Sequence, residues 1–181
     1  MVSYDKAYFN GKGYIKYEDF PSHYVRALHL VSLFRPESVL DVGCAYGYVV
    51  KYLHDFGIRA VGCDVSEYAG ERSKEVIPGD FVLCDMRQGL PFADKSFDLL
   101  YCEGVLEHIE EKYIDFIMKE FERVSNKRCL QIALSEHPNA ELEQGHITLK
   151  DHLWWYEKMP MRTCLALESS IDTNTAWLMK G

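Results

Sequence analysis

The chain has 181 residues, and 48% hydrophobic content at that length suits one domain with a substantial buried core. No apolar run approaches the about 20 residues that cross a bilayer, and Met1 to Asn10 lacks the charged start and apolar centre of a secretory signal, so a cytoplasmic protein without membrane association is expected. A net charge of −8, from 20 Lys and Arg against 28 Asp and Glu, offers no broad basic surface for phosphates and argues against a nucleic-acid partner.

The first 35 residues are rich in aromatics: Tyr4, Tyr8, Phe9, Tyr14, Tyr17, Phe20, Tyr24 and Phe34, interrupted by Gly11 and Gly13. Val25, Leu28, Val31 and Leu33 recur at helical spacing, so residues 21–34 are expected to form a helix packed on the core. Ser38 to Tyr48 then places an apolar strand, a turn of small residues and the start of an amphipathic helix in one short span. Gly43, Ala45 and Gly47 let a ligand approach the backbone, and the following helix offers N–H groups to an anionic group. Ala45 fits if its φ stays negative. The plainer alternative is a tight turn that needs small residues for packing alone.

Strand-like runs ending in a carboxylate recur about every 20 residues: Ser38 to Asp41, Arg59 to Asp64, Phe81 to Asp85 and Phe97 to Glu103. Val49, Val50, Leu53 and Phe56 mark one helix, stopped by Gly57, and Ile114, Ile117, Met118, Phe121 and Val124 mark another. Residues 128–134 read as a buried strand. This alternation is the rhythm of a parallel sheet, in which ligands sit outside the carboxyl ends of the strands. Cys44, Cys63, Cys84 and Cys102 follow the same rhythm, at intervals of 19, 21 and 18 residues, and read as small buried residues with no metal role.

Five patterns in order, Val39-Leu-Asp-Val-Gly-Cys-Ala-Tyr-Gly47, Val61-Gly-Cys-Asp-Val-Ser66, Cys84-Asp-Met86, Leu90-Pro-Phe-Ala-Asp-Lys-Ser-Phe-Asp98 and Val105-Leu-Glu-His-Ile109, resemble the class I S-adenosylmethionine-dependent methyltransferases, small-molecule branch. The resemblance covers roughly residues 38–134 and departs at Ala45, where the family more often has glycine. It implies a three-layer, doubly wound, mostly parallel seven-stranded sheet with a C-terminal antiparallel hairpin. It also implies S-adenosylmethionine as cofactor and a small-molecule acceptor. Residues 1–181 then form one methyltransferase domain: 1–35 lid and packing helix, 36–134 cofactor core, 135–181 substrate-side loop, helix and hairpin.

Asp64, 21 residues after Gly43, is placed to accept from both ribose hydroxyls, with Val65 beside it. Asp85 suits the exocyclic amine of adenine, with Met86 against the ring. Gly43, Cys44, Ala45 and Gly47 would hold the amino-acid end, and Asp41 and Glu103 would shape the methionine side. Asp41 reads equally well as an acid organising the turn. Residues 4–20 are suited to a lid, with Tyr17 as the ring facing the site, although ordinary packing of short helices explains them too.

After residue 134 comes a polar loop carrying His137 and His146. Thr148 with Asp151 resembles a capping box before Leu153-Trp-Trp-Tyr156, and residues 162–167 and 175–179 suit the closing hairpin. In-line methyl transfer needs mainly orientation, and a base only when the acceptor must lose a proton. His146 and His108 are the catalytic candidates for that role. A nicotinamide-dependent oxidoreductase would show a third glycine at the helix start, which is absent. A non-catalytic cofactor-binding partner protein would keep the acids but lack an acceptor pocket. The sequence leaves oligomeric state open.

Overall fold

The computed structural model describes residues 4–10, 17–135, 145–166 and 177–180. The chain divides into two compact units, Met1–Asp85 and Met86–Gly181.

In the first unit, β1 (Ser38–Val42), β2 (Arg59–Asp64) and β3 (Phe81–Leu83) pair in parallel, with Leu40 opposite Val61 and Cys63 opposite Val82. Parallel strands are covered on both faces, and every residue of β1 is buried. Helix α1 (Lys6–Phe9) is capped by the Asp5 carboxylate, which accepts from the Ala7 and Tyr8 amides. Helix α2 (Pro21–Phe34) starts on the preorganised φ of Pro21. Helices α3 (Tyr48–Asp55) and α4 (Glu67–Val76) follow β1 and β2, α3 burying Val49, Val50 and Leu53 as its spacing requires.

Two expectations change here. The inward face of α2 is Ser22, His23, Ala27 and Leu30, whereas Leu28 and Leu33 are 41% and 56% exposed. His23 sets this rotation: its Nε2 donates to the Tyr17 carbonyl at 2.8 Å and its ring stacks on Tyr48 at 5.3 Å. Helix α4 escaped the sequence reading because, apart from Ala69, its buried face is small and polar, with Ser73 inside and Ser66 as its cap.

In the second unit, β4 (Phe97–Glu103), β5 (Ser125–Gln131) and β6 (Thr163–Ala166) run parallel, with Tyr101 opposite Cys129 and Cys129 opposite Cys164. Strand β7 (Trp177–Lys180) pairs antiparallel with β6, and the residues joining them lie outside those described. Each unit thus contributes three parallel strands to an α/β fold. Helix α5 (Glu111–Val124) buries the five apolar residues its periodicity singles out, and α6 (His152–Lys158) buries Trp155.

Strand β5 begins at Ser125, three residues before the expected 128–134. Its polar opening hides it: Arg128 is buried, donating to the Ser125 and Met161 carbonyls and to the Thr163 hydroxyl, so hydrogen bonds replace the apolar run sought in the sequence. The cap of α6 is also different. Asp151 accepts from the Trp154 amide, while Thr148 donates its hydroxyl to the Ile109 carbonyl at 2.6 Å and ties down a loop.

Candidate active site

The turn after β1 is left-handed at alternate residues, with φ of 80° at Gly43, 49° at Ala45 and 85° at Gly47. The expected negative φ at Ala45 is therefore wrong. A single alanine in this region costs about 1–2 kcal/mol, and surrounding contacts must hold it. Those contacts are visible: the Ala45 amide donates to Asp64 at 3.0 Å, and the Ala45 side chain packs with Phe9, Tyr46 and Ala69. The Gly43 and Cys44 amides both donate to the Cys63 carbonyl, at 2.7 and 3.1 Å, which ties the turn to β2. Gly47 caps α3, and no side chain bonds the helix start. A Cβ there would lie 2.4 Å from Ile77 Cδ1, so glycine is required on two counts.

Asp64 ends β2 half-buried, its two oxygens accepting the Ala45 amide at 3.0 Å and the Ser66 amide at 2.9 Å. Burial raises its carboxyl above the ordinary value, and amides of Ser66, Ala45 and Val65 pull it back down. Val65 itself is 44% exposed. Asp41 is buried within β1 opposite Gly62, and Asp85 is half-buried. The Cys44 thiol, fully enclosed beneath the turn, is pushed well up by burial and then by the charges of Asp41 and Asp64. All six cysteines are free thiols.

Aromatics cover this turn. Tyr17 meets Tyr46 edge-on at 5.4 Å and Tyr48 at 5.8 Å, Phe9 packs on Tyr46 at 5.2 Å, and the Tyr4 carbonyl accepts from the Ser66 hydroxyl. The sequence points to Tyr17 but not to Tyr46, which belongs to the turn itself, or to His23 on α2, both of which pack against Tyr17.

These features suit S-adenosylmethionine. A carboxylate has about four acceptor positions, and backbone amides take at most three at Asp64, leaving capacity for a ribose hydroxyl. The left-handed turn and a helix start whose glycine cap brings no side-chain hydrogen bond suit an amino-acid carboxylate.

In the second unit, Met86 opens a 3₁₀ turn (Met86–Gln88), half-buried, and Glu103 ends β4, accepting from the Tyr101 hydroxyl. The turn Leu106–His108 carries a group the sequence did not bring together. The His108 and His146 rings meet edge-on at 4.8 Å, and Glu107 is only 2% exposed. Glu107 organises the surroundings: its carbonyl accepts from the Ile147 and Thr148 amides at 2.9 and 3.0 Å, and its carboxylate accepts from the Ala133 amide at 3.0 Å. Glu107 lies within the Val105–Ile109 pattern, and the sequence assigns it no role because the groups that meet it, on Ala133, Ile147 and Thr148, are distant along the chain. His137 lies outside the described residues.

A parallel α/β fold with this turn, and with Asp64 and Glu103 ending β2 and β4 and Asp85 two residues past β3, defines a class I S-adenosylmethionine-dependent methyltransferase. The family model for the Methyltransferase domain matches residues 40–130, and the chain belongs to that family. Over 75 residues it is 36% identical to the 18S rRNA (guanine-N(7))-methyltransferase bud23 of Schizosaccharomyces pombe, a match covering 40% of this chain and 28% of that protein. Over 76 residues it is 41% identical to the 18S rRNA (guanine-N(7))-methyltransferase of Bos taurus, covering 40% and 27%. The match thus spans little more than a quarter of either relative. A SAM-dependent methyltransferase from Archaeoglobus fulgidus shares the fold, with a TM-score of 0.62, 17% identity, and coverage of 75% of this chain and 64% of that one.

The expectation of a small-molecule acceptor with nucleic acid excluded is overturned by these rRNA-directed relatives. Net charge was a poor guide because it averages over the chain, whereas an acceptor meets a local surface. Among the described residues, no helix is long and apolar enough to cross a membrane.

Proposed function

We propose that this methyltransferase acts on RNA, transferring the methyl group of S-adenosylmethionine to a purine ring nitrogen. The observation that carries the reading is the 36% and 41% identity to two 18S rRNA (guanine-N(7))-methyltransferases. In it, Asp64 holds the ribose, Asp85 the adenine amine, the Gly43 to Gly47 backbone the amino-acid end, and Asp41 supports the turn. Guanine N7 has a lone pair and no proton, so in-line attack on the methyl carbon needs no general base. When bound, S-adenosylmethionine would supply the electrophilic methyl carbon: the N7 lone pair would form the new C–N bond as the C–S bond breaks, its electrons staying on the sulfur. His108 and His146 then orient the acceptor.

The second unit also carries basic groups on aromatic faces. Lys150 and Lys158 lie over Trp154 at 5.3 and 5.4 Å, and Arg87 and Lys112 over Tyr113 at 5.9 and 4.9 Å. The three lysines are also paired with carboxylates, Lys150 with Glu111 at 2.8 Å, Lys158 with Asp115 at 2.7 Å and Lys112 with Glu110 at 2.6 Å, so an RNA phosphate would compete with these acids for them. Isotope-labelled S-adenosylmethionine, incubated with the protein, RNA and a small-molecule metabolite pool, tests the proposal. Label in 7-methylguanine of digested RNA is expected; label confined to small molecules contradicts it.

A further inference from the structure

We propose that Glu107, His108 and His146 form a binding site for a divalent cation of the Zn²⁺ type. One donor atom from each residue can be chosen so that all lie within 4.8 Å of one another. Two imidazoles and one carboxylate are a ligand set used for Zn²⁺ where a further position stays open to water or substrate. Donor atoms bound at about 2.0–2.2 Å around one tetrahedral ion stand about 3.3–3.5 Å apart, so closing the site would require the side chains to shift by about 1 Å or more.

The backbone is fixed where this requires it. Ile147 and Thr148 donate to the Glu107 carbonyl, and the Thr148 hydroxyl donates to the Ile109 carbonyl, so the segment carrying His146 is clamped to the turn carrying the other two donors. Glu107 is held in turn by the Ala133 amide through Oε1, which orients the carboxylate as outer hydrogen bonds orient metal ligands. A carboxylate only 2% exposed is costly to keep charged, and a dication beside it offsets that cost. The site shares His108 and His146 with the acceptor-orienting role given above, but metal binding is measured without an acceptor, so the two readings can fail separately.

The test uses the untagged full chain, stripped with chelator, then titrated with Zn²⁺ by calorimetry and with Co²⁺ by visible ligand-field absorption. One ion per chain is expected. Losing an outer hydrogen bond at a metal site costs about 10- to 100-fold in affinity, so Glu107→Gln and His146→Ala should each weaken binding by more than about 100-fold. His29→Ala, at an exposed position of α2, should bind as the parent does. Circular dichroism checks that both site variants fold, and His146→Ala keeps the test valid if Glu107→Gln does not. S-adenosylhomocysteine affinity, measured on the same samples, should be unchanged, which separates failure of the metal site from failure of the methyltransferase reading. Absence of stoichiometric binding, or binding that survives His146→Ala, overturns the proposal.

Discussion

Replacing Asp64 with alanine should damage both the fold and the cofactor site, in separable amounts. The carboxylate accepts the Ala45 amide at 3.0 Å and the Ser66 amide at 2.9 Å, so the change strips two charge-assisted bonds from the turn even without ligand. Hydrogen bonds to charged groups are worth about 1.5–3 kcal/mol each. Burial already penalises this carboxylate, as its raised pKa shows, so the lower end applies: about 3 kcal/mol for the pair. For a chain of this size that corresponds to a melting temperature lower by about 6–12 °C. Loss of the ribose acceptor should cost a further 1.5–3 kcal/mol or so of cofactor affinity, about ten- to a hundredfold in Kd. Urea unfolding of the free protein and calorimetric titration of S-adenosylhomocysteine measure the two effects. A variant that melts with the parent and binds with parent affinity would refute both halves. Lowered stability with normal affinity would confine Asp64 to holding the turn.

Gly47→Ala combines a left-handed φ with a 2.4 Å approach to Ile77, and should lower stability by at least about 1–2 kcal/mol; the double variant with Ile77→Ala should not recover the strain component, as thermal melts of both will show. Tyr17→Ala, which removes the ring against Tyr46 and Tyr48, should speed dissociation of S-adenosylhomocysteine in stopped-flow, and unchanged dissociation would count against the lid. His23 has its pKa lowered below 6.5, chiefly by burial, so the folded state binds a proton less readily than the unfolded chain. Its contribution to stability is full above pH 6.5 and is lost as pH falls through the folded value, and His23→Gln should flatten that part of a urea-midpoint profile against pH.

Elements whose identity rests on apolar spacing were legible in the sequence: α5 buries all five residues its periodicity selects, and α3 buries Val49, Val50 and Leu53, whereas Phe56 falls at its C-cap and is half-buried. Elements held by polar contacts were not. Helix α4 hides Ser73, and β5 opens on a polar run whose Arg128 is buried by hydrogen bonds that join distant segments. The same division holds at the site. The glycine turn and Asp64 are local in sequence, or one strand apart, and could be found by pattern. The grouping of Glu107 with His108 and His146 depends on a clamp between segments about 40 residues apart, of which Thr148 gave only a misleading capping signal. The left-handed Ala45 was invisible because alanine carries no mark of the conformation its neighbours impose. The exclusion of nucleic acid failed for a different reason: formal charge sums residues irrespective of where they stand.

A crystal structure with S-adenosylhomocysteine tests the assignment of the cofactor site most directly. The account predicts ribose hydroxyls on Asp64, the adenine amine at Asp85 and the amino-acid carboxylate at the Gly43 to Gly47 backbone. A ligand bound elsewhere, with Asp64 still engaged only by backbone amides, would contradict it.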